Sequence, residues 1–292
     1  MPEPLAECAG VSRVFGPLTV VDRVDLTVGP GEVVGLLGAN GAGKTTLIRM
    51  LLGLLPVSGG SVRLFGRPPS RASRRRIGYV PQGLGLYEDL TVAENLAFSR
   101  AVFQAAPGAE RAAVPGSLRR YARVCVRDLP LGVARRAAFA QALEHRPELL
   151  LLDEPTSGVD PLARSRLWET IGAAAAAGAG AIVTTHNMEE AEECSRLVVL
   201  ASGRVVAAGT AAEIVGEART AVVRAADWAV ALRRLEAAGI RAVLSGETLR
   251  AAGRPAADVA RALAGLPASV SQEPATLEER FFGLVATGTA AR

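Results

Sequence analysis

Long apolar runs are missing from this sequence of 292 residues, although 49% of its residues are hydrophobic. The nearest candidate, Ile171–Val183, is short and glycine-interrupted, whereas a spanning helix needs about 20 apolar residues. The first residues, Met1–Pro4, lack the basic and apolar regions of a signal peptide. The three cysteines are odd in number and have no metal-ligand spacing. We therefore expect no transmembrane segment and a reduced, cytoplasmic compartment.

Lysine is almost absent as well. Among the 33 Lys and Arg residues only Lys44 is a lysine, and the arginines are spread along a chain whose net charge is +4. Because nucleic-acid binding needs a basic face, we expect no nucleic-acid partner. A compact ammonium differs most from a guanidinium where one donor must fit between phosphate oxygens. The single lysine therefore indicates a candidate phosphate site.

Lys44 lies in a phosphate-binding pattern. An apolar run, Val33–Leu37, predicts a buried strand, and the helix-forming residues Leu47–Leu52 follow the loop. The eight-residue pattern G-x-x-x-x-G-K-[ST] is met by Gly38, Gly43, Lys44 and Thr45, and the candidate nucleotide-binding residues also include Ala39, Asn40, Gly41, Ala42 and the following Thr46. In such a loop the backbone N–H groups bind phosphate, the lysine reaches the β- and γ-phosphates, and the first threonine binds Mg²⁺. The alternative is a glycine-rich turn with a stray lysine.

Polar residues also follow two further apolar runs. Four leucines precede Asp153 and Glu154, which places both carboxylates at a strand end, where α/β sheets bind ligands. Asp153 is predicted to hold Mg²⁺, and Glu154 to orient and deprotonate the attacking water; a solvated acidic turn is the alternative. His186 follows the apolar run Ala181–Thr185 and is placed to contact a γ-phosphate, although alone it also fits a structural histidine. The other histidine, His145, is predicted to be a surface residue near a helix end.

With these three strand ends in place, the chain resembles the nucleotide-binding subunit of an ABC transporter over about residues 5–215. The resemblance implies that Phe15 stacks on adenine and that Gln82, in a Q-loop, contacts Mg²⁺ and the attacking water. It also implies a D-loop containing Asp160 and a switch role for His186. The fold implied is α/β: a P-loop core with a mainly parallel sheet, an antiparallel β portion and a helical insert at about residues 83–147.

The family signature, normally Leu-Ser-Gly-Gly, is altered here. The matching stretch is Leu129-Pro130-Leu131-Gly132, followed by Arg135 and Arg136 on a helix. The resemblance implies that Leu131 and Gly132 face the nucleotide held by another subunit. Pro130 has no hydroxyl or N–H, and Leu131 adds bulk where a backbone should approach closely. A similar Leu-Pro-Leu-Gly variant occurs in members with ABC-2-type partners, and whether it supports hydrolysis stays open.

A second part of the chain begins after about residue 215. Residues 216–292 predict a β-α-β-β-α-β order, typical of a small ferredoxin-like α+β module. The ending, Pro274–Phe282, resembles the tail of ABC-2-type ATPase subunits. We therefore predict an ATP-binding domain over residues 1–215 and an accessory module over residues 216–292.

The resemblance implies an ATP-binding and ATP-hydrolysing subunit that powers export through a separate transmembrane partner of the ABC-2 class. Two such subunits, as a homodimer or a heterodimer, would enclose ATP and Mg²⁺ at the inner face of the cell membrane. One alternative is an ATP-gated dimerising clamp with little hydrolysis. Another is a soluble ABC ATPase of DNA repair or translation, although the sequence has neither a long coiled-coil insert nor a second cassette. Apolar residues after Gln82 (Leu84, Leu86 and Tyr87) favour a membrane partner.

Overall fold

The computed structural model describes residues 3–103 and 114–290, with side chains described to residue 286. The chain divides into two compact units, Met1–Val205 and Val206–Arg292. This division falls before the predicted end of the ATP-binding domain near residue 215, which stays a prediction.

A three-stranded antiparallel sheet forms the N-terminal part of the first unit. Its strands, in the order β2-β1-β4, are β1 (Ala6–Phe15), β2 (Leu18–Val28) and β4 (Gly59–Leu64). The short turn between β1 and β2 pairs Phe15 with Leu18. This is the expected antiparallel β portion.

A six-stranded sheet carries the strand ends singled out in the sequence. Its order is β5-β6-β7-β3-β8-β9, and the pairings that join β5, β6, β7, β3 and β8 are all parallel. The strands are β3 (Val33–Gly38), β5 (Ile77–Val80), β6 (Leu149–Asp153), β7 (Gly180–Thr185), β8 (Arg196–Ala201) and β9 (Arg204–Gly209), and the last contains the division between the units. Every residue of β3, β6 and β7 is buried, as continuous apolar runs in a parallel sheet predict.

The register of this sheet aligns its carboxyl ends. Asp153 pairs with Thr184, Leu37 pairs with Thr185, and Val80 pairs with Leu152. The residues that follow these strands therefore meet at one edge of the sheet.

Helices follow several of these strands, and a helical insert lies between β5 and β6. The α-helices of the first unit are α1 (Lys44–Leu51), α2 (Arg71–Arg74), α3 (Val92–Phe103), α4 (Leu131–Leu143), α5 (Pro161–Ala176) and α6 (Met188–Glu192). Two 3₁₀ turns, Gly116–Tyr121 and Val126–Asp128, precede α4. Val92, Leu96, Leu118, Val133 and Ala137 form the buried core of the insert.

The second unit contains the predicted β-α-β-β-α-β order, from β10 to β13, between two flanking helices. Its elements are α7 (Ala211–Val215), β10 (Arg219–Ala225), α8 (Trp228–Ala237), β11 (Val243–Ser245), β12 (Thr248–Ala252), α9 (Ala256–Ala262), β13 (Ala268–Pro274) and α10 (Leu277–Ala290). The four strands form one antiparallel sheet in the order β11-β12-β10-β13. Ala221, Val223, Leu235, Leu249 and Val259 belong to its own core. The predicted fold class, a P-loop α/β core followed by an α+β module, is confirmed.

No helix in the described part of the chain is both long enough and apolar enough to span a membrane.

Candidate nucleotide-binding and hydrolysis site

The turn from β3 into α1 forms the candidate phosphate loop. Gly43 is the N-cap of α1 and has φ 103°, a left-handed conformation that L side chains rarely adopt. A Cβ at Gly43 would lie 2.8 Å from the Val20 carbonyl oxygen of β2. Glycine is therefore required at this position by conformation and by space.

The remaining predicted loop residues lie in the same turn or in the first turn of α1. Ala39, Asn40 and Gly41 are exposed, Ala42 is buried, and Thr46 is half-buried. Gly41 has φ 81°, and a Cβ there would meet only open space among the described residues. The loop thus presents its backbone at the N-terminus of a helix, where the dipole favours anions.

The Lys44 ammonium is buried beneath this loop. Its side chain is 5% exposed, and Nζ donates to the carbonyl oxygens of Gly38 at 2.7 Å and Ala39 at 3.3 Å. Glu154 Oε1 lies 3.6 Å from Nζ. Burial lowers the pKa of Lys44, and the charges of Glu154 and Asp153 oppose that shift.

The Asp153 carboxylate lies at the end of β6 between two threonines. Its Oδ1 accepts hydrogen bonds from Thr45 Oγ1 at 3.2 Å and from Thr184 Oγ1 at 2.7 Å. Asp153 is 1% exposed, and its buried Oδ2 has no hydrogen-bond partner among the described residues. A buried carboxylate oxygen without a partner is costly, so this atom is suited to bind a cation.

The chemistry of this donor set fits Mg²⁺. Mg²⁺ prefers hard oxygen ligands and is usually bound through one or two carboxylates plus substrate phosphates and water. Asp153 Oδ2 and the Thr45 hydroxyl are such ligands. No group of three or more His, Cys, Asp and Glu side chains that could hold a metal occurs among the described residues.

Glu154 combines a strained backbone with several polar neighbours. Its φ is 48°, which is uncommon for a residue other than glycine, and its N–H donates to Thr184 Oγ1 at 2.8 Å. Gln82 Nε2 donates to Glu154 Oε2 at 3.3 Å, and His186 Nδ1 lies 3.7 Å from Oε1. The Glu154 side chain is 11% exposed, whereas that of His186 is 57% exposed. With Lys44, side chains from three other segments of the chain therefore meet at the Glu154 carboxylate.

Arg135 was not predicted as a site residue. It is 5% exposed on α4, and its Nη2 donates to the Gln82 carbonyl oxygen at 2.9 Å. Burial lowers its pKa, and the negative charge of Glu154 opposes that shift. The guanidinium therefore joins the helical insert to the loop that carries Gln82. Its only signal in the sequence was its place in the basic pair after the signature stretch.

The D-loop and the signature stretch contact each other within the chain. Asp160 is the N-cap of α5 and accepts from Ala163 N–H at 2.9 Å. Pro130 is the N-cap of α4 and offers no side-chain cap. A Cβ at Gly158 would lie 3.0 Å from Leu131 Cδ2, and one at Gly132 would lie 3.6 Å from Asp160 Oδ2. Leu131 is 44% exposed, so its side chain lies partly over the D-loop and partly in solvent.

Phe15 lies apart from the cluster around Glu154. It is 42% exposed at the end of β1, and the Arg13 guanidinium lies 4.3 Å from its ring centroid. Its strand partner β2 carries Val20, whose carbonyl lies against the Gly43 position. Its predicted contact with adenine stays a prediction.

His145 lies just after the end of α4, near a helix end as predicted, but its side chain is only partly at the surface. The side chain is half-buried, stacks on Phe103 with ring centroids 3.9 Å apart, and its Nε2 lies 3.0 Å from the Ile77 carbonyl oxygen. Burial lowers its pKa. The polar residues around it in the sequence gave no sign that α3 and β5 pack against it.

Taken together, a buried lysine at a glycine-rich strand–helix turn and a carboxylate pair at the carboxyl end of β6, a parallel strand of the same sheet, define a P-loop nucleotide-binding protein.

Comparisons with known proteins identify the family. Residues 21–157 match the family model described as ABC transporter. The chain is 43% identical over 224 residues to Nod factor export ATP-binding protein I of Paraburkholderia xenovorans (strain LB400), covering 74% of each protein. It is 39% identical over 293 residues to the protein of the same name in Cupriavidus pinatubonensis (strain JMP 134 / LMG 1197), covering 96% of this chain and 90% of that protein.

Solved structures agree. An ATP-binding subunit of an ABC transporter matches with a TM-score of 0.67 and 32% identity, over 72% of this chain and 91% of that chain. The cbiO1 protein of Clostridium perfringens, part of the ABC transporter complex cbiONQ, matches with a TM-score of 0.64 and 25% identity, over 80% and 96%. The chain belongs to the ATP-binding subunits of ABC transporters. Members of this family bind ATP, hydrolyse it as part of transport, and work with a transmembrane partner.

Proposed function

We propose that this chain powers export, by ATP hydrolysis at Glu154, through a separate transmembrane partner of the ABC-2 class at the inner face of the cell membrane. The direction of transport is supported by relatives named as export ATP-binding proteins. The partner class is supported by the Leu129–Gly132 variant signature and by the resemblance of the chain ending to ABC-2-type subunits. Apolar side chains of Leu84 and Leu86, both half-buried, follow Gln82 where a membrane partner would dock.

The observation that carries the hydrolysis assignment is the convergence on Glu154. Lys44, Gln82 and His186 each place a side-chain nitrogen within 3.7 Å of one of its carboxylate oxygens. A carboxylate in this position can accept a proton from water, and neighbouring donors can orient that water. Lys44 would meanwhile pair with the β- and γ-phosphates, whose negative charge favours its protonated form.

Mg²⁺ would be held by Thr45, Asp153 and Gln82, and when bound it neutralises charge on the phosphates. Thr45 and Thr184 fix the Asp153 carboxylate through Oδ1, which leaves Oδ2 as the atom for the cation. Phe15 would stack on adenine. His186, exposed at the strand end, would contact the γ-phosphate and hold it against Glu154.

Two subunits would enclose two ATP molecules, each between the phosphate loop of one and the Leu131–Gly132 region of the other. Leu131 and Asp160 are exposed in the single chain, as residues that meet a second subunit should be. The variant signature also favours a second candidate function, an ATP-gated clamp with little hydrolysis, because Pro130 supplies no hydroxyl for the γ-phosphate.

The dimer can be tested with Glu154→Gln, which removes the base and keeps the shape of the side chain. With ATP and Mg²⁺ this variant should form a stable dimer in analytical ultracentrifugation, because closure is retained while hydrolysis is blocked. The matched control is Glu169→Gln, an exposed position on α5, which should behave as the wild type. A Glu154→Gln protein that binds ATP but stays monomeric would contradict the proposed sandwich. A wild type that dimerises as stably as the variant and releases no phosphate would favour the clamp.

A further inference from the structure

Glu190 is a buried carboxylate with no part in the proposed chemistry. It lies on α6 and is 5% exposed. Its Oε1 accepts a short hydrogen bond from Thr156 Oγ1, and its Oε2 accepts one from Thr185 Oγ1 at 2.7 Å. Both oxygens of one carboxylate are therefore satisfied by two hydroxyls from different strand ends.

These two threonines are neighbours of the proposed catalytic residues. Thr156 comes two residues after Glu154, and Thr185 directly precedes His186. The Thr185 hydroxyl also accepts from the Asn187 N–H at 2.9 Å, at the N-cap of the helix that carries Glu190. The end of β6, the end of β7 and the start of α6 are thus joined through one side chain.

We expect the buried Glu190 carboxylate to have a function that offsets the energetic cost of burying it. An ionised carboxylate removed from water is costly unless it is fully hydrogen-bonded. Hydrogen bonds to a charged acceptor are about twice as strong as neutral ones. Glu189, the preceding residue, bonds Arg164 at 2.8 Å while its side chain is 77% exposed, so α6 already has one tether that requires no buried charge.

The backbone of Glu154 shows what such a tether would stabilise. Its φ of 48° is a strained conformation that persists only where the surroundings fix it. The Thr184 hydroxyl holds its N–H on one side. The bond from Thr156 to Glu190 fixes the chain two residues later, so the strained residue is held on both sides.

We propose that Glu190 is a positioning residue that fixes the Glu154 carboxylate relative to His186 through Thr156 and Thr185. The proposal rests on the proposed function of Glu154 and His186. The 3.7 Å between His186 Nδ1 and Glu154 Oε1 depends on two strand ends that Glu190 joins directly. A displacement of a catalytic group by about 1 Å can lower the rate about 10²-fold.

The test removes one hydroxyl at a time without changing side-chain shape. Thr156→Val should lower kcat for ATP hydrolysis at least about ten-fold while KM for ATP changes less than about two-fold, because no phosphate contact is touched. Thr156→Ser, which keeps the hydroxyl, should restore kcat. Thr185→Val and Thr185→Ser form a second pair at the other strand end, so the result does not depend on one variant folding.

Two measurements separate positioning from a purely structural role. Melting temperatures are compared for all variants, and activity is assayed well below the lowest of them. Glu190→Gln should lose kcat as the valine variants do, and Glu189→Gln, which weakens the exposed tether of the same helix, should keep it. If the valine variants melt earlier but keep wild-type kcat, or if the serine variants fail to restore kcat lost in folded valine variants, the proposal is wrong.

Glu154→Gln, assayed in the same experiment, shows whether the proposed function is wrong or only the positioning role of Glu190. If it hydrolyses ATP at the wild-type rate, the proposed function of Glu154 as the general base is wrong. If it is inactive and folded Thr156→Val is fully active, only the positioning role of Glu190 fails.

Discussion

Lys44 and Glu154 are opposite charges 3.6 Å apart, and their side chains are only 5% and 11% exposed. Burial lowers the pKa of the lysine, while Glu154 and Asp153 oppose that shift. Triphosphate oxygens would favour the charged ammonium in the same way. The site therefore balances the buried Lys44 cation against two carboxylates at the carboxyl end of β6, and the phosphates would add further negative charge.

Removing this cation should abolish function without unfolding the protein. Lys44→Met keeps most of the buried volume and removes the charge, so we expect nucleotide binding or hydrolysis to be lost. The melting temperature should fall less in Lys44→Met than in Lys44→Ala, which also leaves a cavity. ATP binding by calorimetry and phosphate release measure the effect. Wild-type hydrolysis by either variant would exclude Lys44 from the phosphate site.

At the scale of single residues, the sequence predicted some residues of the site and missed others. The loop residues and the pair Asp153 and Glu154 were found because each motif is local and follows a recognisable apolar strand. Arg135 and Glu190 were missed because each has a hydrogen-bond partner far away in the chain, Gln82 at 53 residues and Thr156 at 34 residues. A buried arginine or glutamate looks like a solvated one until the packing of distant elements is known.

At the scale of elements, the turn from β3 into α1 requires glycine at position 43, and substitution of Gly43 tests this requirement. Its φ is 103° and a Cβ would lie 2.8 Å from a carbonyl oxygen, whereas Gly178 has φ 98° and open space around it. Both alanine substitutions should cost about 1–3 kcal/mol for backbone strain. Gly43→Ala should cost about 1–3 kcal/mol more for the clash, roughly 2–4 °C of melting temperature per kcal/mol. Equal melting temperatures would contradict the packing of β2 against this loop.

The N-terminus of α4, which carries the signature stretch, can also be tested by substitution. Pro130 is an N-cap without a side-chain cap, and serine there would supply one, stabilising by about 1 kcal/mol. Glycine at Leu131, the first residue of α4, should cost less than the about 1 kcal/mol expected in a helix interior. The double variant Pro130→Ser, Leu131→Gly should therefore fold about as well as the wild type.

Its ATP turnover should rise about ten- to a hundred-fold. The added hydroxyl supplies one hydrogen bond to a charged phosphate, worth roughly 1.5–3 kcal/mol if it acts mainly in the transition state. Steady-state phosphate release by the two proteins gives the comparison. Unchanged or lower turnover in a folded double variant would mean that the Leu-Pro-Leu-Gly sequence is a working signature.

Whether a helix or strand could be predicted from the sequence depended on how its residues are buried. The strands β3, β6 and β7 are buried along their whole length, and this produces the continuous apolar runs seen in the sequence. The helical insert was harder to interpret, because two short 3₁₀ turns separate α3 from α4 and its core joins residues far apart in the chain. Short 3₁₀ segments carry no apolar period long enough to recognise.

At the scale of the whole molecule, every residue proposed to contact nucleotide or Mg²⁺ lies in the first unit. A chain that ends at Gly216 should therefore bind ATP with an affinity within about three-fold of the full chain. Calorimetry on the truncated protein, with circular dichroism to confirm folding, tests this. The same truncation carrying Lys44→Met is the control and should not bind. A folded truncated chain that fails to bind ATP would place part of the site in residues 217–292.

Hydrolysis by Glu154 is most directly tested by the steady-state rate of phosphate release from MgATP. Glu154→Gln should lower this rate at least about 10²-fold, the low end for loss of a general base, while ATP affinity stays within about three-fold of the wild type. Glu169→Gln should leave both quantities unchanged. A Glu154→Gln protein that releases phosphate at the wild-type rate would contradict the assignment of Glu154 as the base.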